Sequence, residues 1–232
     1  MELKRTYKYL DIITTAFVVI LLVSNLIGSL KVTRLCIAPD LCFSFTTGLF
    51  LFPASYLIGD ILTEVYGYSK SRKVIWSGFA ALILSNLLIQ FFKILPPDPN
   101  WGLQEAYSQI FNQSLRVSAA SMLAFFCGEF TNSFVIAKLK VITKGKFQFL
   151  RIIGSTIAGE LVDSVIIYPL AFLGAPGFTP ALVLKIMITN YCLKVLWEIL
   201  VYPLTKILLK FLKKVESEDY YDYETDFNPF HA

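Results

Sequence analysis

The sequence predicts an all-α, polytopic membrane protein with six transmembrane helices and both termini on the cytoplasmic side. Three observations predict it. The 232 residues are 56% hydrophobic and only 16% charged, whereas a soluble domain carries about 25% charged residues. Mean hydropathy is +0.62 and comes from apolar runs that recur at the length of a membrane span. Lysine and arginine gather in alternate connections, which sets the orientation.

The first span, 10–30, follows Lys4, Arg5 and Lys8. It is too long for a signal peptide and lacks a small-residue cleavage site. The second, 42–66, ends before Lys70, Arg72 and Lys73, and the third, 74–95, returns toward Lys93. Between spans three and four, 96–113 is the longest external connection, where Trp101 and Tyr107 suit an interfacial helix. It runs into a glycosylation-type sequon, Asn112-Gln113-Ser114, which has little weight without a secretory context. The fourth span, 115–137, precedes Lys138, Lys140, Lys144, Lys146 and Arg151. The fifth and sixth, 150–173 and 178–205, lead to Lys206, Lys210, Lys213 and Lys214. The opposite side holds Lys31, Arg34, Lys93 and Arg116. Residues 1–214 therefore read as one six-helix transmembrane domain, and the acidic segment 215–232 as a disordered cytoplasmic tail.

Within this apolar frame the ionisable residues stand out. Asp60 and Glu64 lie in span two, Glu129 in span four, Glu160 and Asp163 in span five, and Lys185, Lys194 and Glu198 in span six. A charge at mid-helix costs roughly 2.5–3.5 kcal/mol on insertion scales and usually faces a cavity or pathway. Helical spacing groups them. Asp60 and Glu64 share a face, and Asn190, Lys194 and Glu198 form a stripe. GEFTNS at 128–133 and GELVDS at 159–164 repeat one pattern on spans of opposite direction, as an inverted pair of site-forming helices would. At a rise of ~1.5 Å per residue, Glu129, Glu160 and Asp60 sit roughly 13–15 Å from their cytoplasmic basic markers, and Glu64 roughly 9 Å. Pro53, Pro169 and Pro203 flank the acidic positions, and helix-interior proline is tolerated where backbone lines a cavity.

Each group also has a structural reading. Lys185 snorkels near the external end, Glu64 can pair with Arg72 or Lys73, and Lys194–Glu198 can neutralise itself within one helix. Asn25 and Asn190 join Glu64 as gate or coupling candidates. The surplus of deep carboxylates suits a cation, a proton, or a ligand rich in N–H donors, since one carboxylate accepts two parallel N–H bonds. Phe126, Tyr168 and Trp197 are candidates to stack on a planar ring.

Other chemistries find no support. P-loop, GxGxxG and GxSxG motifs are absent, as are CxxC and any Cys/His cluster. Cys36 and Cys42 flank one external loop and can pair in an oxidising space, while Cys127 and Cys192 lie in spans as small apolar residues. His231, the sole histidine, belongs to the tail and reads as solvated. No cofactor, metal or enzymatic activity is expected.

The stretch GDILTEVYGYSKSRKVIW at 59–76 resembles the hallmark of the queuosine precursor transporter family, formerly labelled vitamin-uptake-like. NLIGSLK at 25–31, the two GE-x-x-[ND]-S segments and KVLWEILVYPLTKILLKFLKK at 194–214 match it in order. The resemblance covers about 10–214 and leaves the acidic tail outside.

It implies a multi-pass importer in the bacterial inner membrane that salvages the 7-deazaguanines preQ0, preQ1 or queuine, working by alternating access. It further implies a small-molecule substrate, no nucleic-acid partner and no obligatory ATPase, and is compatible with a homo-oligomer. Asp60, Glu129, Asn132, Glu160, Asp163, Lys194 and Glu198 would bind substrate, with Lys194 positioned by Glu198; Glu64, Asn25 and Asn190 would gate or couple. The rivals are a substrate-capture subunit of an energy-coupling-factor vitamin importer, an intramembrane aspartyl protease using Asp60 and Asp163, and a cation channel.

Overall fold

The computed structural model describes residues 6–28, 32–38, 41–46, 48–111 and 115–231. The Asn112 sequon, Lys4, Arg5 and Lys31 lie outside them. Chain order is α1 (Leu10–Gly28), β1 (Val32–Ala38), β2 (Leu41–Thr46), α2 (Gly48–Tyr66), α3 (Tyr68–Ile94), α4 (Gln104–Phe111), α5 (Leu115–Ile142), α6 (Gln148–Phe172) and α7 (Pro180–Glu216). The architecture is helical, as expected. Among the described residues, three segments are long and apolar enough, by length and composition alone, to cross a membrane: Leu10–Ile27, Tyr68–Ile94 and one within Gln104–Ile142.

An antiparallel hairpin departs from the all-α expectation. β1 pairs with β2, and Cys36 lies opposite Cys42 in the register. Cys36 is disulfide-bonded. Val32, Thr33 and Ile37 on one strand and Phe43, Phe45 and Thr46 on the other are β-branched or aromatic residues that favour strands. α2 consequently starts at Gly48, later than the span boundary expected at residue 42.

Glycines set the closest approach in the bundle. A Cβ on Gly159 would lie 2.9 Å from the Gly128 carbonyl oxygen, and one on Gly128 would lie 3.0 Å from the Gly159 carbonyl oxygen. The two copies of the repeated motif thus meet reciprocally across the antiparallel α5–α6 pair, as small residues allow in membrane bundles. Pro53, Pro169 and Pro203 all sit inside continuous helices. One apolar core joins Phe17 and Leu21 of α1, Leu62 and Val65 of α2, Phe125 of α5, Ile152 of α6 and Leu209 of α7.

The acidic C-terminal segment, expected to be disordered, follows a defined path. Beyond Ser217 it folds back over the bundle end near α3. Tyr220 N–H donates to the Val65 carbonyl at 3.2 Å. Asp222 accepts from the Tyr68 N–H at 3.1 and 3.2 Å, so it caps α3, whose N-cap residue Gly67 has no side chain to do so. Arg72 donates to the Asp226 and Asn228 carbonyls, and Trp76 Nε1 to the Pro229 carbonyl. Phe227 packs against Tyr68 and under the Lys138 ammonium, 3.9 Å from the ring centre. Composition signals disorder when acids are merely solvated; here they meet backbone N–H groups and ammonium groups. His231 is exposed and contacts Asp226.

Candidate functional site

α2 carries a polar face read every fourth residue: Tyr56, Asp60 and Glu64. All three are buried. Asp60 accepts a 2.6 Å hydrogen bond from Asn132 Nδ2 on α5. One residue earlier, Gly59 lets α5 come close: a Cβ there would collide with Glu129 Oε1. Tyr56 reaches the α5–α6 crossing, where a Cβ on Gly128 would strike its hydroxyl.

α6 and α7 supply the rest. Lys194 Nζ on α7 donates to Glu160 Oε2 at 2.8 Å and to Asp163 Oδ2 at 2.7 Å, both on α6. This corrects the expectation that Glu198 positions Lys194. The reason is rotational. Glu160 and Asp163 lie one helical turn apart on the facing helix and both reach the ammonium, so the intrahelical i, i+4 pair is not made. Glu198 is 1% exposed, and neither of its oxygens has a hydrogen-bond partner among the described residues. The same holds for both oxygens of Glu129, for Asp60 Oδ2, Asn132 Oδ1 and the Tyr56 hydroxyl.

Two zones therefore differ in how their charge is matched. In the layer formed by Asp60, Glu129, Glu160, Asp163 and Glu198, five carboxylates face one lysine. About one turn further toward the tail, Glu64 is heavily paired. Its Oε1 takes Arg151 Nη2 at 2.6 Å and Lys213 Nζ at 2.7 Å, with Lys140 Nζ at 4.0 Å. Lys140 also donates to the Glu64 carbonyl, to the Tyr220 carbonyl and to Asp219. Burial works to raise the Asp219 carboxyl, but hydrogen bonds from Lys140 and Lys213 outweigh it and hold the group below its ordinary value. The partners foreseen for Glu64, Arg72 and Lys73, are not the ones it meets.

Asn25 and Asn190 lie apart from the carboxylates. Asn25 donates to Ser121 Oγ at 3.3 Å and lines a cleft with Ser85, Asn86 and Gln90. Asn190 donates to the Ile186 carbonyl of its own helix. Of the candidate stacking residues, Phe126 is taken up by Trp76, Phe79 and Phe130, and Trp197 packs on the core. Tyr168 stacks on Phe172 at 6.3 Å.

Sequence reasoning missed Tyr56, Arg151 as a partner of Glu64, and the buried hydroxyl triangle of Thr63, Ser71 and Ser133, whose edges are 2.9–3.0 Å. The signal for Tyr56 was its place four residues before Asp60. Among the described residues, no group of three His, Cys, Asp or Glu is arranged to hold a metal ion.

A family model described as "Putative vitamin uptake transporter" matches residues 46–208. A "Probable queuosine precursor transporter" of Bacillus subtilis (strain 168) is 30% identical over 151 residues, which cover 64% of this chain and 65% of the relative. A "Queuosine precursor transporter" of Escherichia coli (strain K12) is 25% identical over 178 residues, covering 74% and 76%. The chain thus spans a little under two thirds of the Bacillus relative and about three quarters of the other. No solved structure matches the chain. The matched segment contains every residue of the carboxylate layer, and leaves Asn25 and the tail outside.

Proposed function

Because the chain belongs to the vitamin uptake transporter family, a family of multi-pass bacterial inner-membrane transporters and not of enzymes, we propose that it imports queuosine precursors across that membrane. The two relatives named for such precursors support the substrate class. In this reading six helices span the bilayer, α1, α2, α3, α5, α6 and α7, with both termini cytoplasmic. The positive-inside bias supports that arrangement.

The observation that carries the reading is the buried layer in which Lys194 bridges Glu160 and Asp163 while neighbouring carboxylates keep free acceptor oxygens. An amino-pyrimidine edge presents adjacent N–H donors, and a carboxylate accepts them in parallel. A ring carbonyl would take its hydrogen bond from Lys194, and Asp60, Asn132, Glu129 and Glu198 complete the cage. Alternating access moves helices against one another around this layer. Glu64, Asn25 and Asn190 then act at its two ends as gates.

Complementation tests it. The chain is expressed in a bacterium that neither makes nor imports queuosine precursors, each precursor is fed separately, and queuosine in tRNA is measured. Restoration by at least one precursor is expected, with loss in Glu160→Gln and Asp163→Asn. No restoration despite verified membrane expression would overturn the proposal.

A further inference from the structure

The carboxylate layer does more than accept N–H groups. Glu129 and Glu198 are both buried, at 0% and 1% exposure, and none of their four oxygens has a partner among the described residues. The Tyr56 hydroxyl, which faces Glu129, is also buried and without a partner among the described residues. Among the described groups that face these two acids, three are carboxylates, two are neutral and one is cationic. From α2 come Asp60 and Tyr56; from α5, Asn132, already spent on Asp60; from α6, Glu160 and Asp163; from α7, Lys194, already spent on Glu160 and Asp163. Glu64 is nearer the tail and matched by Arg151 and Lys213.

Formal charge then decides what must bind. Five carboxylates and one ammonium leave four negative charges in a zone shielded from water. A neutral heterocycle removes none of them and a singly cationic one removes only one. Buried, unpaired charge is expensive enough that such groups neutralise instead. A metal ion is a poor candidate. No metal-holding group of acids exists among the described residues, and Glu129 Oε1 is pressed against the Gly59 backbone where a Cβ could not fit. A hard cation needs about six oxygens around it. A proton needs only one lone pair, and it turns a carboxylate into one donor and one acceptor.

We infer that Glu129 and Glu198 are proton sites, and that substrate crosses together with protons carried on them. The inference rests on the import reading and names its coupling ion. As the layer opens to one side, the two carboxyls take up protons with the substrate; opened to the other, they release both. Each proton moves as H⁺ from water to a carboxylate oxygen and back, so no redox or covalent step is involved.

The purified full-length chain is reconstituted in liposomes loaded with a pH-sensitive dye. Labelled preQ1, preQ0 or queuine is followed in counterflow and under imposed pH or sodium gradients. An acid-outside gradient is expected to drive accumulation by about tenfold per coupled proton and pH unit. Substrate addition should acidify the lumen, and a protonophore should abolish accumulation, while a sodium gradient has no effect. In Glu198→Gln the ratio of gradient-driven accumulation to counterflow should fall about tenfold per proton lost and pH unit of gradient. Counterflow without lumen acidification, and indifferent to the pH gradient, would overturn the proton inference and leave import standing. Absence of counterflow with every precursor would overturn import itself, and this inference with it.

Discussion

Glu64→Gln tests the ion cluster beneath the carboxylate layer. The wild-type carboxylate is buried and holds Arg151 at 2.6 Å and Lys213 at 2.7 Å through one oxygen. Glutamine keeps the volume but turns a donor amide toward donors or leaves a weak neutral acceptor. Removing one member of a buried ion pair costs about 3–5 kcal/mol. The lower end applies here, because the lysines keep other partners: Lys140 and Lys213 retain Asp219 at 2.6 and 2.8 Å. Arg151 is 1% exposed and, among the described residues, keeps the Lys146 carbonyl as its remaining hydrogen-bond partner. At roughly 2–4 °C per kcal/mol for a chain of this size, a loss of about 3 kcal/mol lowers Tm by about 6–12 °C. Thermal unfolding of purified protein in detergent reads this directly. Arg151→Met alone should cost less, since Glu64 keeps Lys213 and Lys140, and the double variant Glu64→Gln/Arg151→Met should recover part of the Glu64→Gln loss, since the charge is then removed with its partner. A Tm for Glu64→Gln within about 2 °C of wild type, less than 1 kcal/mol at that slope, would refute the reasoning.

Two further outcomes follow from the packing. Gly159→Ala places a Cβ 2.8 Å from Asn132 Cβ and 2.9 Å from the Gly128 carbonyl, so overpacking of about 1–3 kcal/mol is expected; Gly154→Ala, whose nearest neighbour would be Leu139 Cδ1 at 3.6 Å, should leave Tm unchanged or slightly higher. The tail should loosen as pH rises. Burial pushes the Asp222 carboxyl above its ordinary value despite hydrogen bonds from Thr225 and the Tyr68 N–H, so its contribution is complete below the unfolded value of about 3.9 and is lost as pH climbs through the raised one. Asp219 has the opposite sign, and its contribution fades only below about 3.9. Chymotryptic cleavage at Tyr221 and Tyr223, normalised to a free peptide of the same sequence, should therefore quicken as pH rises above about 3.9, and Asp222→Asn should flatten that slope.

Much of the helical frame and most of the acids at its centre could be read in the sequence, because a charge inside an apolar run is conspicuous whatever its partner. Partners were not legible. Lys194 reads equally well toward Glu198 on its own helix or toward any facing acid, and only the rotation of α6 against α7 decides for Glu160 and Asp163. Arg151 reads as an orientation marker at the start of a span, yet it turns inward to Glu64. Tyr56 hides among many aromatics. The tail misleads for a compositional reason. Its acids look solvated until Asp219 is seen against Lys140 and Lys213, and Asp222 against the bare N-terminus of α3. The hairpin escapes because Phe43 to Thr46 reads as easily as the apolar start of α2 as it does as a strand.

Asp60 and Glu64 lie one turn apart on α2, yet their surroundings are of opposite charge. Glu64 has more cationic neighbours than it can neutralise: Arg151, Lys213 and Lys140 draw α5, α6 and α7 onto one oxygen of α2. Drawing α2 away from that end would have to separate at least two of those contacts together. Among the described residues Asp60 has a single amide for a partner and faces acids beyond it. A group short of donors gains from anything that brings them, whether an N–H edge or a proton. Under the proposed import, ligand binding at the upper acid and closure at the lower one would be separated by a single helical turn of the same element. On that proposal a small rotation of α2 would change both, and would couple occupancy of the layer to the ion cluster through one rigid helix without any intervening network.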